Sequence, residues 1–350
     1  MNEFTIIITS FNRPKCLLRN LKFLLSYNLC FKIIIADSSN NIDKNEELKI
    51  LIKDHDILFK KFSQNIKVAQ KISEVLKFVS TKYCVLCADD DFIIPISIIK
   101  CIDFLKNNVD YACCHGKYYI HTPLKHINNF GIVFRDQTPI LISSEEDTSI
   151  KRVNTFTDED NLAAQYPFYA VFETTNLKII WDQTVIYAND WFFNEYFSTI
   201  VALLVGKMKT LPIFYMSREP NSYNWEDKKK IKNIFTKQSK MTCSEGVATN
   251  LIKYSPDLDF EAIKKKYFNV LGKKKQRMIR KLVTTNNYTQ ININRDNILK
   301  HCLRGFFYLY LRIIFKLSNK LTSSTVRKIE SLIVESGDTI NEVNDSRKQY

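Results

Sequence analysis

Three consecutive aspartates, Asp89, Asp90 and Asp91, are the residues of this chain that most clearly predict chemistry, and they follow an apolar run at residues 83–88. Carboxylates a few ångströms apart raise one another's pKa unless a cation compensates them. Oxygen ligands at this density suit Mg²⁺ or Mn²⁺, with water and substrate phosphates in the remaining coordination positions. A solvated acidic loop that caps the following helix is the alternative interpretation.

The elements that would position these aspartates alternate between strand and helix. Apolar runs typical of strands occupy residues 5–9, 33–36, 57–62, 83–88 and 111–114. Helical spacing of apolar residues predicts helices that begin near Pro14, Val68 and Pro95. This alternation predicts a doubly wound, mostly parallel α/β sheet flanked by helices. Ligands bind such sheets beyond the carboxyl ends of the strands, where Ser10, Asp37 and the aspartates would lie.

Glycine is scarce, and its absence from the first 115 residues excludes one way of binding phosphate. The chain has seven glycines, and the first is Gly116. A P-loop or a Rossmann glycine loop therefore does not exist in the N-terminal part. Any nucleotide bound there is held by other means.

Three motifs together resemble the family 2 glycosyltransferases of the GT-A fold. They are TIIITSFNRP at residues 5–14, IIIADSS at 33–39 and VLCADDDFIIP at 85–95. The resemblance covers about the first 115 residues well and extends more weakly to about residue 220. It implies a GT-A type sheet and an inverting transferase that uses a nucleotide-sugar donor.

The resemblance also implies a nucleotide-sugar pocket built from the first two motifs. Ser10 and Phe11, followed by Asn12 and Arg13, would line it, and Asp37 would contact the uracil or the ribose. A helix cap in the DSSN loop is the alternative role for Asp37. The resemblance favours UDP over GDP as the nucleotide of the donor.

The aspartate motif would hold a metal on the donor diphosphate, and Asp89 and Asp90 would also contact the donor. Alignment on Pro95 favours Asp90 and Asp91 as the metal-binding pair, whereas D-x-D spacing favours Asp89 and Asp91. Arg218, in the sequence YMSRE, would approach the diphosphate because a guanidinium suits phosphate geometry. The alternative interpretation is that Arg218 is an ordinary arginine on the protein surface.

A carboxylate outside the aspartate motif is expected to act as the base that takes a proton from the acceptor hydroxyl. The segment NEYFSTIVALLVGK resembles the acidic helix start of the family, and Glu195 falls on its carboxylate position. Asp190 is the second candidate base. The alternative for both is favourable charge at a helix N-terminus. The helix is predicted over residues 192–205, with Gly206 as a left-handed cap.

We predict a glycosyltransferase domain at 1–222, with a nucleotide-binding half at 1–115 and an acceptor half at 116–222. A helical, basic C-terminal region is predicted at 223–317 and a polar tail at 318–350. Near its end the basic region interleaves Arg304, Arg312 and Lys316 with aromatic and aliphatic residues. This mixture suits an interfacial helix on an anionic membrane, or alternatively a core helix with solvated lysines.

Composition indicates a globular cytoplasmic protein, with peripheral contact at the inner face of the membrane as an option. The net charge of +14 favours a polyanionic partner, and the nine cysteines fall mainly on apolar stretches, as reduced thiols do. The expected partners are a nucleotide-sugar donor and a glycan or lipid-linked acceptor in bacterial surface polysaccharide synthesis, and no nucleic acid is expected.

Two other functions remain open at this point. One is a non-catalytic protein that binds glycan or nucleic acid, although the aspartates would repel phosphate without a metal. The other is a sugar-phosphate nucleotidyltransferase, which expects a glycine-rich loop after the first strand. TSFNRPK at residues 9–15 lacks that loop.

Overall fold

The computed structural model describes residues 4–40, 45–126, 129–136, 143–157, 167–188, 190–219, 235–289, 325, 327–329 and 331–332. In chain order the helices and strands are β1 (Phe4–Ser10), α1 (Pro14–Leu25), β2 (Lys32–Asp37), α2 (Glu46–Asp54), β3 (Leu58–Lys61), α3 (Val68–Leu76), β4 (Tyr83–Ala88), β5 (Phe92–Ile93), α4 (Pro95–Asn107), β6 (Tyr111–His126), β7 (Asn129–Asp136), α5 (Ser149–Thr157), β8 (Val171–Glu173), α6 (Thr174–Tyr187), α7 (Trp191–Val205), β9 (Lys207–Arg218), α8 (Lys237–Tyr254) and α9 (Phe260–Thr289). A short 3₁₀ helix spans Pro167–Tyr169.

The described strands form one sheet in the order β3-β2-β1-β4-β8-β6-β9-β5, and β7 pairs with β6. Strands β3, β2, β1 and β4 are parallel. Beyond β4 the sheet is mixed, since β8 runs antiparallel to β4 and β6, while β9 runs parallel to β6. The prediction of a doubly wound α/β sheet with flanking helices is confirmed. Its parallel half is the part in which strands and helices alternate along the sequence.

The first strand shows why this sequence forms a central strand. Ile6, Ile7 and Ile8 are each 0% exposed, because helices cover both faces of the sheet. Ile7 packs with α3, α6 and α7, whereas Ile6 and Ile8 pack with α1 and α4. The register pairs Ser10 with Asp37, and Thr9 with the last residue of β4. Therefore the ends of β1, β2 and β4 meet at one edge of the sheet.

Helix α7 ends at Gly206 as predicted, but the predicted reason is wrong. Gly206 has a φ of −173°, which is extended backbone and not the left-handed conformation. A Cβ at this position would lie 2.6 Å from the Ala112 backbone nitrogen and 2.9 Å from the Asp110 carbonyl oxygen. Glycine is needed because the start of β9 passes close against the start of β6.

The described part of the C-terminal region is helical and packs on the rest of the fold. Cys243 and Val247 of α8 and Tyr267 of α9 belong to the same buried cluster as α5, α6 and α7. Within the predicted polar tail, Ile329 is 0% exposed in the cluster that contains α1. The predicted boundary at residue 222 and the segment with Arg304, Arg312 and Lys316 lie outside the described residues. Among the helices described, none has both the length and the apolar character needed to cross a bilayer.

The close approach at Gly206 gives a stability prediction with a matched control. Gly206→Ala should lower the free energy of unfolding by about 1–3 kcal/mol, because the added methyl group overlaps backbone atoms. Gly272, inside helix α9, has nothing within 4 Å of an added Cβ. Gly272→Ala should raise that free energy by about 0.5–1 kcal/mol. Urea unfolding measures both, and equal changes in the two variants would contradict the packing argument.

Candidate functional site

The loops that follow β1 and β2 are joined by hydrogen bonds at the sheet edge. The Ser38 backbone nitrogen donates to the Ser10 carbonyl oxygen at 3.2 Å. The Asn12 nitrogen donates to the Ser39 hydroxyl at 2.6 Å, and the Asn40 nitrogen donates to the Asn12 side-chain oxygen at 3.0 Å. Asn12 adopts a left-handed φ of 54° to make this contact. These bonds fix the shape of the pocket edge where Phe11 and Arg13 also lie.

Asp37 organises the second of these loops from a buried position. The carboxylate is 0% exposed and accepts hydrogen bonds from the Ser39 nitrogen at 3.0 Å, from the Ser39 hydroxyl at 2.5 Å and from Lys61 Nζ at 2.8 Å. Asn45, not Asp37, caps helix α2, because its side-chain oxygen accepts from the Leu48 nitrogen at 3.0 Å. The helix-cap alternative for Asp37 is therefore wrong.

Lys71 is a buried cation at the same edge, and it was not foreseen from the sequence. Its ammonium group donates to the Ser10 carbonyl oxygen and to the Ser38 hydroxyl, each at 3.0 Å. Burial lowers the pKa of Lys71 to about 8, although the nearby charges of Asp89 and Asp37 act in the opposite direction. The available signal was spacing, since position 71 is four residues before Val75 and lies on the buried face of α3.

Arg13 joins the first two aspartates. The turn that carries them is closed by a hydrogen bond from the Asp91 nitrogen to the Ala88 carbonyl oxygen at 3.3 Å. Arg13 Nη2 lies 2.5 Å from Asp89 Oδ1, and Arg13 Nη1 donates to Asp90 Oδ2. One guanidinium therefore compensates two carboxylates, and Arg13 is held at the N-terminus of α1 immediately before Pro14.

Asp91 points to a different set of groups, at the end of β9. Its Oδ1 accepts from the Glu219 backbone nitrogen at 3.1 Å, and its Oδ2 accepts from Arg218 Nε at 3.3 Å. These contacts follow from the antiparallel pairing of β5 with β9, in which Phe92 is opposite Ser217. The three consecutive aspartates therefore divide into a pair on Arg13 and a single carboxylate on Arg218.

Burial and the arginines set the protonation of this cluster. Burial raises the pKa of Asp89 to about 6 against the opposing effect of Arg13, and raises that of Asp91 to about 7 against the opposing effect of Arg218. Burial also acts on Asp90, but Arg13 and Arg218 outweigh it and lower the pKa of that carboxyl. The cluster therefore holds its negative charge at a cost that a further cation would reduce.

The donor set fits a hard divalent ion that has few protein ligands. Within the part of the chain that the structure describes, no three His, Cys, Asp or Glu side chains are arranged to hold one metal ion. Mg²⁺ usually takes one or two carboxylates and completes its coordination with water and substrate phosphates. Two buried carboxylates of the turn match that requirement.

Arg218 also lies against the short 3₁₀ helix and acts electrostatically on helix α7. Its guanidinium carbon lies 5.2 Å from the centre of the Tyr169 ring, while Nε contacts Asp91. Burial raises the pKa of Glu195 to about 7, and the charge of Arg218 opposes that shift. One arginine therefore opposes the effect of burial on the pKa of both Asp91 and Glu195.

Asp190, the second candidate base, is engaged as a helix cap. Its Oδ1 accepts from the Phe193 backbone nitrogen at 3.3 Å, at the N-terminus of α7. Burial raises the pKa of Asp190 to about 6, and hydrogen bonds from the Phe193 and Phe192 nitrogens oppose the shift. The helix-cap alternative thus describes what Asp190 does in the fold.

The chain was compared with protein families and with solved structures. Residues 5–129 match the family described as Glycosyl transferase family 2. No curated protein matches the chain. It is similar to Staphylococcus aureus TarS 1-349, at 12% identity over 100% of this chain and 92% of that chain, with a TM-score of 0.49.

Two further solved structures are similar at lower identity. Mannosyltransferase PcManGT from Pyrobaculum calidifontis, in complex with GDP-Man and Mn²⁺, is 9% identical over 96% of this chain and 86% of that chain, with a TM-score of 0.40. Glucosyl-3-phosphoglycerate synthase from Mycobacterium tuberculosis, in complex with Mn²⁺, UDP and glucosyl-3-phosphoglycerate, is 8% identical over 74% of this chain and 81% of that chain, with a TM-score of 0.43.

The family match covers a defined part of the site. It includes the two joined loops, Asp37, Lys71 and the aspartate turn, whereas Glu195 and Arg218 lie beyond residue 129. Over residues 5–129 the chain carries a glycosyl transferase family 2 domain, and the protein is accordingly a glycosyltransferase.

Proposed function

We propose that the protein transfers a sugar, with inversion at the anomeric carbon, from a UDP-sugar to a glycan or lipid-linked glycan of the bacterial surface. The observation that carries this proposal is that Arg218 contacts Asp91 and its charge also acts on Glu195. In the proposal Asp91 would help to bind the metal, Glu195 would act as the base, and one cation would influence both.

The charge balance of the pocket supports a metal-dependent donor site. Four carboxylates at the sheet edge, those of Asp37 and the three aspartates, already face four protein cations, which are Arg13, Lys61, Lys71 and Arg218. A nucleoside diphosphate would bring further negative charge into this balanced site. An additional cation must then accompany it. Two of the three aspartates would hold that Mn²⁺ or Mg²⁺ ion, which stabilises the charge that develops on the leaving diphosphate.

The joined loops would hold the nucleoside. Phe11 is half-buried and precedes Asn12, whose backbone nitrogen binds the Ser39 hydroxyl in the loop that Asp37 orders. Asp37 itself is fully engaged by Ser39 and Lys61. We infer that Asp37 contacts the uracil or ribose by exchanging one of these bonds, with the Lys61 ammonium beside it as a donor to carbonyl or hydroxyl oxygens.

Glu195 is the proposed base. Inverting transfer requires a carboxylate that accepts the proton of the acceptor hydroxyl while that oxygen attacks the anomeric carbon from the face opposite the diphosphate. A pKa near 7 suits this role, and that of Glu195 is raised to about 7 by burial. Arg218 would keep a useful fraction of Glu195 ionised. Asp190 is better explained as the cap of α7.

We propose that the acceptor is bound by the second half of the domain and by the basic helices that follow it. We propose a catalytic domain at 1–222 that continues into helices α8 and α9, whose exposed face carries Lys237, Lys265 and Lys266. Such a face suits anionic lipid headgroups and supports peripheral contact with the inner face of a membrane. In a bacterium this would position the active site for lipid-linked acceptors of surface polysaccharide synthesis.

The function can be tested without knowledge of the acceptor. Purified protein with Mn²⁺ should release UDP from at least one UDP-sugar by slow hydrolysis, since water can take the place of the acceptor. Ion-pair chromatography of a panel of UDP- and GDP-sugars measures this release. No release from any nucleotide sugar, in the presence of confirmed nucleotide binding, would favour a non-catalytic glycan-binding protein.

Removal of Asp91 should abolish the metal-dependent part of nucleotide binding. In Asp91→Ala the affinity for UDP with Mn²⁺ should fall to the metal-free value, because one of the aspartate carboxylates is lost. The control is Asp110→Ala, since Asp110 pairs with Lys207 away from the sheet edge. Calorimetric titration measures both. Metal-dependent affinity that is unchanged in Asp91→Ala would remove this residue from the site.

Glu195→Gln should suppress transfer and spare donor binding. General-base catalysis contributes about 10²- to 10⁴-fold, so UDP release should fall by at least about 10²-fold while the Kd for UDP stays within twofold. Asp190→Asn is the matched control, because an amide oxygen still accepts the hydrogen bond of the cap. If Asp190→Asn loses activity and Glu195→Gln keeps it, the base has been assigned to the wrong residue.

The rate of UDP release should rise with pH and level off above about pH 7. Burial raises the pKa of Glu195 to about 7, so the carboxylate that acts as base is protonated below that pH and ionised above it. Arg218→Gln removes a charge that holds this pKa down and should move the midpoint of kcat/KM to higher pH. A pH profile of both proteins measures the shift, and a midpoint that stays the same in the variant would contradict the coupling.

A further inference from the structure

Asn20 is a buried amide in helix α1 that reaches the aspartate turn. It is 1% exposed, although the apolar pattern of α1 places it beside leucines. Its Nδ2 donates to the Ala88 carbonyl oxygen at 2.9 Å and to the Asp91 carbonyl oxygen at 2.8 Å. These two carbonyl groups begin and end the turn that carries Asp89 and Asp90.

A buried asparagine at position 20 makes helix α1 and the core less stable than a leucine would, unless the turn requires its side chain. Asparagine is a poor former of helix interiors, and a buried leucine would add to the core that the neighbouring leucines form. The buried carbonyl groups at the two ends of the turn, however, require hydrogen-bond donors. Both donors of the Asn20 amide are used for this purpose. Position 20 therefore serves the conformation of the turn.

The preceding residue acts on the other side of Asp91. Arg19 Nη2 lies 2.6 Å from Glu219 Oε2, with the two side chains 3% and 11% exposed, and its guanidinium carbon is 5.2 Å from the centre of the Phe92 ring. The Glu219 backbone nitrogen donates to Asp91 Oδ1. Thus Arg19 holds the strand end that binds the Asp91 carboxylate, while Asn20 holds the backbone of the turn.

We propose that Asn20 and Arg19 are positioning residues for the metal and diphosphate site: Asn20 fixes the backbone of the aspartate turn and Arg19 keeps the Glu219 amide on Asp91. This inference rests on the proposed function, since it concerns the geometry of the carboxylates that would bind the metal. Neither residue is assigned a contact with the nucleotide. Both act through groups that hold the aspartates, just as groups that hydrogen-bond to metal ligands orient those ligands at metal sites generally.

The test compares Asn20→Ala with a matched buried amide elsewhere. Asn250 is 3% exposed, and its Nδ2 donates to the Gly246 carbonyl oxygen at 2.9 Å within α8. In Asn20→Ala the Mn²⁺ concentration that gives half-maximal UDP binding should rise by about tenfold or more, while metal-free UDP affinity is unchanged. Asn250→Ala should leave both quantities as in wild type. If Asn20 had only a structural role, its replacement would change the Mn²⁺ requirement and the metal-free UDP affinity together.

A second readout needs no ligand. Hydrogen exchange of the peptide that contains residues 88–91 should be about tenfold faster in Asn20→Ala, because the turn opens more often, and unchanged in Asn250→Ala. If wild-type protein shows no metal-dependent binding of UDP, the proposed function is contradicted, and the exchange rates still decide the role of Asn20. If Asn20→Ala does not fold, Asn20→Ser, which retains one donor, replaces it. Wild-type exchange and wild-type Mn²⁺ dependence in a folded Asn20 variant would overturn the inference.

Discussion

Four carboxylates at one edge of a sheet, three of them buried, require cations around them, and this requirement shapes the rest of the structure. Asp37, Asp89 and Asp91 are each at most 3% exposed. The chain brings compensating charge from four separate elements: Arg13 before α1, Lys61 at the end of β3, Lys71 from α3 and Arg218 at the end of β9. A carboxylate left alone in this position would be protonated or would destabilise the fold.

The same balance connects the fold to the proposed chemistry. Three of these cations act on two parts of the site: Arg13 bridges two aspartates, Lys71 joins the loops after β1 and β2, and Arg218 acts on both Asp91 and Glu195. Because the protein charges are already matched, the diphosphate of the proposed donor would bring an excess of negative charge. The metal dependence that we propose would then be a consequence of the electrostatics and not only of the type of ligand.

Much of the fold of residues 1–115 could be predicted from the sequence, because its signals are local. The run TIIIT, the aspartates after β4 and Pro95 at the start of α4 each depend on neighbouring residues, and the structure agrees with all three. Arg19 and Asn20 were not foreseen, since they look like polar positions on an exposed helix face. Arg19 is buried by Glu219, which lies 200 residues further along the chain.

Other differences between the sequence predictions and the structure also arise from contacts between residues that are distant in sequence. Gly206 follows a helix, where a left-handed cap is the common role, yet the approach of β6 determines that residue. The sequence ranks Glu195 before Asp190 as the base but leaves both open to a helix N-terminal role, and the structure shows that Asp190 caps α7 while the charge of Arg218 acts on Glu195. Ile329 lies in a polar segment and is nevertheless buried against the cluster of α1.

The proposed metal dependence can be measured directly by a calorimetric titration of the wild-type protein with UDP, in Mn²⁺ and again in EDTA, with GDP as the comparison. The charge balance at the sheet edge predicts UDP binding that is at least about tenfold tighter in Mn²⁺, a difference of about 1.4 kcal/mol. Equal affinity for UDP in Mn²⁺ and in EDTA would contradict it, because the protein cations alone would then be sufficient to hold the diphosphate.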